Sequence, residues 1–210
     1  MEGFLPWQWC LFWWIVALPC LILGVTRLKK LIDADREALP LLGVTGGFIF
    51  ILSSLKLPSV TGSSSHPTGT GLSALSFGPW STAVICSIVL LFQSLFLAHG
   101  GLSVLGANIV SMGIIGPIVG YITYRALRNT TTSMYLTVFL VTALADIFTY
   151  VTTSFELALA YPAETGGFAS SFVLFMGIFA ITQIPLAIVE GIASQPRSEP
   201  ICRFFANSWL

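Results

Sequence analysis

Charge is what this chain has least of. Its 210 residues carry nine Lys and Arg and nine Asp and Glu, so 9% is charged while 55% is hydrophobic. Soluble domains commonly devote about a quarter of their residues to charge. A water-exposed shell around a core of this size cannot be drawn from so few, and mean hydropathy stands at +0.89. The composition therefore implies an integral membrane protein forming a single domain over 1–210. The charges sum to zero, which removes the basic footprint that a nucleic-acid partner needs. Cysteine is scarce too: Cys10, Cys20, Cys86 and Cys202 show no C-x-x-C spacing and lie mostly in apolar runs. They read as small hydrophobic fillers.

Several motifs are missing, and each absence excludes a chemistry. Without G-x-x-x-x-G-K-[ST] the chain binds no ATP through a P-loop. Without H-E-x-x-H or G-x-S-x-G it carries neither the zinc-protease helix nor the hydrolase elbow. Any uphill transport must draw on a partner or on an ion, and catalytic residues are not expected.

What fills the chain instead is a series of apolar segments, near 8–27, 41–56, 80–98, 103–124, 134–153 and 168–192. The longer ones reach the roughly 20 residues that a helix needs to cross hydrocarbon. An all-α bundle of about six to seven spans is the expected fold. The start, MEGFLPWQWCLFWWIVALPCLILGVTRLKK, has an acid and no base before its apolar run, and bases after it. A signal peptide has the opposite polarity. Basic residues favour the cytoplasm, so the first helix, within 1–30, should enter from outside and leave Met1 external. A cytoplasmic connector follows over 28–40. The bases at 125–128 also read as cytoplasmic, yet hydropathy places an odd number of segments between the two clusters. A re-entrant segment would repair that count, as would a misplaced second cluster.

Glycine and proline suggest how the bundle packs. Gly43 and Gly47, like Gly116 and Gly120, have the small-x-x-x-small spacing of closely approaching helices. Pro117 and Pro185 fall inside apolar runs, where they should kink helices.

Against this background, LPSVTGSSSHPTGTGLSALSFGP stands out as a polar, uncharged stretch expected to form an external loop over 57–79. It holds His66, one of two histidines in the chain. With no carboxylate it is no calcium cage, whereas an imidazole suits cobalt, nickel, copper or zinc. One imidazole does not make a site, so metal ligation and an ordinary loop histidine both remain open on spacing alone. Four more ionisable groups lie within or beside apolar runs: His99, Asp146, Glu156 and Glu190. Asp146 is the deepest by sequence. It reads either as a proton or cation carrier or as a hydrogen-bonded packing group. Glu190 reads as structural, and His99, before Gly100 and Gly101, as a turn stabiliser.

The strings MEGFLP at 1–6, LPSVTGSSSHPTGTGL at 57–72, LLFQSLFLAHGGLSVLGAN at 90–108 and TQIPLAIVEG at 182–191 resemble the CbiM/NikM family. Its members are the membrane-embedded, substrate-binding components of energy-coupling-factor cobalt and nickel transporters, and the cobalt branch is the more similar. The resemblance implies uptake of divalent cobalt to supply cobalamin synthesis. It implies partners as well: a membrane coupling subunit, cytoplasmic ATPase subunits and a small accessory membrane subunit, at the cell (inner) membrane. Cobalt or nickel would be cargo, and no cofactor of the chain's own is implied. A nickel-specific member and a proton-coupled transporter using Asp146 are the alternatives.

In that family the metal is held by the N-terminal amine, by groups of a second-position histidine and by the histidine of the S-H-P-T-G-T-G loop. The loop histidine corresponds to His66. The family start reads M-H-I-M-E-G and this sequence begins at the second methionine of that pattern, so the second-position histidine is not in it. His66 is therefore carried over as ligand, with Met1 beside it. After PLAIVEG the family continues as apolar helix, whereas 193–210 is broken by prolines and charges, an atypical tail.

Overall fold

The computed structural model describes residues 5–58, 64–97 and 100–195. The described residues are overwhelmingly helical: α1 (Trp7–Ala34), α2 (Ala38–Ser54), α3 (Thr70–Phe96), α4 (Leu105–Asn108), a π-helical stretch (Ile109–Ile115), α5 (Gly116–Leu127), α6 (Met134–Ala160) and α7 (Gly167–Ala193). A two-stranded pin, β1 (Leu57–Pro58) with β2 (Ser64–Ser65), is the remaining regular element. In hydrocarbon a chain must satisfy its own backbone groups, and long apolar runs do so as helices. Five are long and apolar enough to cross a bilayer: α1, α3, the continuous α4–α5, α6 and α7. The apolar α2 is shorter. The charged connector shrinks to Asp35–Glu37, because α1 runs on through the bases to Ala34.

Two helices depart from regularity, and each departure has a cause. Pro117 sits in the first turn of α5, where its missing N–H costs least, and the widened π turn precedes it. The second is sharper. Gly78 within α3 has φ 80° and ψ 162°, which only glycine adopts readily, and Pro79 follows. The Ser73 and Thr82 hydroxyls lie 2.9 Å apart across this point. A continuous helix would separate them by about 13 Å along its axis, so the chain folds back on itself at Gly78.

This reversal adds a passage along the bundle that hydropathy does not count. The first arm of α3 carries Leu75 into a cluster with Tyr124 and Val138, with Met134 packed beside it, at the end of the bundle where α5 stops and α6 starts. The second arm passes Gly24 of α1 at Trp80 and Val84, then brings Gln93 to Ser53 at the far end of α2. The bases of 27–30 and 125–128 thus share one end of the bundle. Between them the chain passes along it in α2, in the stretch from Ser64 to Phe77, in the second arm of α3, and in α4–α5. The passage that hydropathy misses is polar, half loop and half helix. The stretch expected as loop to residue 79 is already helix from Thr70.

The main apolar core joins α1, α2, α3, α4 and the π-helical stretch, with Trp13, Ala17, Ile49, Cys86, Val89, Leu105 and Ile109 buried in it. Cys10, Cys20 and Cys86 are unpaired, as fillers should be, and Cys202 lies outside the described residues. The glycine pairs part company. Cβ atoms added to Gly116 and Gly120 would press on α6 at Ala145 and Val141, so these two do permit close packing. Added at Gly43 or Gly47 they would meet nothing, so that pair does not pack within this chain, contrary to expectation. It lines an open apolar groove of about 740 Å³ between α2 and α3.

Candidate functional site

The seam between α6 and α7 is filled by the polar stretch around His66. The pin pairs Leu57 with Ser65 and Pro58 with Ser64, and from there the chain enters the bundle. Ser65, Thr68 and Thr70 have no exposed surface, and His66 retains 9%. This segment is a loop by backbone shape but an interior element by position. Buried backbone must find partners, and α6 and α7 supply them. Gly69, at φ 69°, turns the chain from this loop into α3 with its backbone against Ile49 of α2.

Three residues of α7 hold the loop. Thr182 meets the Ser65 hydroxyl at 2.7 Å. Gln183 Nε2 donates to the His66 carbonyl at 3.4 Å and to Asp146 Oδ2 at 2.5 Å. Glu190, the deepest, accepts from the Thr68 N–H at 2.5 Å and from the Gly69 N–H at 2.9 Å, one on each carboxylate oxygen. Two adjacent backbone donors aimed at one carboxylate form an anion-binding concavity. From α6, Tyr150 Oη accepts from the His66 N–H at 3.0 Å and donates to the His66 carbonyl at 3.4 Å.

His66 is thus fixed at its backbone on both sides. Its ring stands edge-on to Tyr150, with centroids 6.1 Å apart. Nδ1 lies 3.1 Å from the Pro67 carbonyl. As donor there, it leaves Nε2 as the nitrogen that carries the lone pair. A metal ligand is the uncharged ring, which binds through that lone pair.

The other sequence candidates fare differently. Met1, the second proposed ligand, lies outside the described residues, as do His99 and 196–210 of the tail. Among the described residues no group of three or more His, Cys, Asp or Glu side chains gathers as a metal cluster. Asp146 has no exposed surface and backs the loop through Gln183; its Oδ1 is without a hydrogen-bond partner. Glu190 holds the loop by its backbone at Thr68 and Gly69. Glu156 stands apart: 1% exposed, with neither carboxyl oxygen hydrogen-bonded.

Sequence reasoning passed over Tyr150 and Gln183 as site residues. Their signal was present as spacing. Asp146 and Tyr150 are four apart on α6, and Gln183 and Glu190 are seven apart on α7, so each pair marks one polar stripe on an apolar helix.

Comparison with known proteins agrees with this architecture. Residues 1–195 match the profile of the family CbiM, described as the cobalt uptake substrate-specific transmembrane region. CbiM 2 of Methanosphaerula palustris is 65% identical over 192 residues, which span 91% of this chain and 82% of that one. The cobalt transport protein CbiM of Roseiflexus sp. (strain RS-1) is 58% identical over 192 residues, 91% of this chain and 77% of its own. Among solved structures, a truncated transition metal transporter superposes with a TM-score of 0.80 at 24% identity, covering 92% of both chains. That likeness concerns the fold.

Proposed function

The chain belongs to the CbiM family, and on that premise we propose that it is the metal-capturing subunit of a cobalt uptake system. Divalent cobalt is the cargo, and His66 is the ligand that the described residues contribute. The observation that carries this reading is the burial of the His66 loop between α6 and α7. An imidazole is held there by its own backbone in a buried seam. Nitrogen donors suit late first-row divalent ions, and a preorganised ligand spends less ordering entropy on binding. Met1 at the chain's beginning serves as a further nitrogen ligand, with the N-terminus external at the cell membrane.

Energy comes from outside this polypeptide. Its sequence has no P-loop, which supports an energy-coupling-factor arrangement. Separate cytoplasmic ATPase subunits act through a membrane coupling subunit, a small accessory membrane subunit completes the assembly, and the cobalt delivered supplies cobalamin synthesis. The bases gathered at one end of the bundle support a cytoplasmic assignment for that end.

The test is cobalt uptake by cells expressing the chain with its partners. His66→Ala abolishes uptake while leaving membrane insertion intact; wild-type cobalt affinity in that variant would remove His66 from the site. Uptake that stops in ATPase-null cells and survives an uncoupler supports the ATP-driven assembly. The reverse result would transfer the work to a proton carried by Asp146. Competition by nickel against labelled cobalt decides the cargo.

A further inference from the structure

Glu190 is an acid buried at a depth where acids are costly to keep, and the protein aims both of its oxygens at the two residues that follow His66 and Pro67. A clamp meant only to join α7 to its neighbours could use apolar contacts, as the rest of α7 does at Phe179 and Leu186. Glu190 instead grips backbone N–H groups, which no substitution within the loop can remove. Gln183, two turns away on the same face, holds the His66 carbonyl from the other side. The loop segment carrying the imidazole is therefore suspended between two fixed points of one helix.

We infer that Glu190 and Gln183 are positioning residues for the metal. They hold the His66 loop in its inserted state and set cobalt affinity without touching the ion. This rests on the reading of His66 as a cobalt ligand and deepens it. If only a fraction of molecules keeps the loop inserted, apparent affinity falls by that fraction while the ligand set in the bound state stays the same. A positioning role thus has a signature that neither a ligand nor a mere packing group shares.

The experiment titrates the purified full-length chain in detergent with cobalt chloride. Binding is followed by the visible d–d absorption of the bound ion, and thermal unfolding of the metal-free protein is recorded alongside. Glu190→Gln keeps the size but turns one acceptor into a donor facing a donor. It should weaken cobalt binding by about tenfold or more, the scale of a lost charge-assisted hydrogen bond. The spectrum at saturation should match that of the wild type. Wild-type affinity in a less heat-stable protein would overturn the inference, because Glu190 would then serve stability alone. An altered saturated spectrum would overturn it too, by making Glu190 a ligand. Should Glu190→Gln not fold, Gln183→Leu, which removes the grip on the His66 carbonyl, is read by the same three outcomes. His66→Ala in the same assay keeps the two claims separate. If it binds cobalt normally, the proposed site fails whatever the clamp does. If it does not bind while Glu190→Gln binds as wild type, the clamp alone is wrong.

Discussion

Ser73 and Thr82 meet hydroxyl to hydroxyl at 2.9 Å, nine positions apart in sequence, because Gly78 reverses the chain between them. The arm that precedes the reversal is the continuation of the His66 loop, so the loop's depth is set at Gly78 as much as at its clamps. Gly78→Ala asks an L-residue to hold φ 80° and ψ 162°. Such backbone costs about 1–3 kcal/mol. The expected outcome is a lower unfolding midpoint in detergent and weaker cobalt binding, checked by thermal melts and metal titration.

Two glycine pairs with one spacing should answer alanine in opposite ways. A Cβ on Gly116 would strike the Thr149 hydroxyl and come within 3.0 Å of the Ala145 carbonyl oxygen, both on α6. Gly116→Ala should destabilise by about 1–3 kcal/mol, the range for overpacking a filled interior. Gly47→Ala, with nothing within 4 Å of the new carbon, should leave the isolated chain unchanged. Side-by-side melting curves decide it.

Those pairs also show where sequence reading reaches its limit. Segment positions were legible because about 20 apolar residues in a row can satisfy their backbone groups in lipid only as helix. Spacing, by contrast, states that backbones are able to approach and not which surface they approach, so Gly43 and Gly47 look the same as Gly116 and Gly120. The passage from Ser64 to Phe77 escaped hydropathy because its polar residues find partners inside the protein instead of in water. His66 was conspicuous as a rare imidazole in a charge-free loop. Tyr150 and Gln183 were not, since a tyrosine and a glutamine in apolar helices announce a polar partner without naming it. Only the antiparallel pairing of α6 with α7 shows that their partner is the loop.

Glu156 offers a test of a different kind. Both of its oxygens are buried without a hydrogen-bond partner, while Leu159 and Ala160, one turn on, pack against the main core. A polar group left so costs about 1–3 kcal/mol. Glu156→Leu is therefore expected to raise the thermal midpoint of the metal-free protein. Calorimetry or a thermal melt in detergent checks this, and a lower midpoint would mean that the carboxyl has a partner after all. Cobalt uptake measured on the same variant shows whether the stability was being spent on the transport path.

Tyr150→Phe isolates one bond at the proposed metal site. The ring stays packed at a tilt against Phe179, 5.3 Å away between centroids, so the apolar packing of α6 on α7 survives. What goes is the hydroxyl that accepts from the His66 N–H, and with it the donor to the His66 carbonyl. Gln183 still reaches that carbonyl, but the N–H loses its acceptor in a buried seam. Leaving it unsatisfied costs about 1–3 kcal/mol if the loop stays inserted. The loop recovers that energy by lifting toward water, so the cost falls on the inserted state and not on the bundle. Cobalt affinity should therefore drop by about tenfold, while the unfolding midpoint moves little. Hydrogen exchange at residues 64–69 would be faster than in wild type. Equal exchange and equal affinity would show that the Tyr150 hydroxyl is a bystander to a loop held from α7 alone.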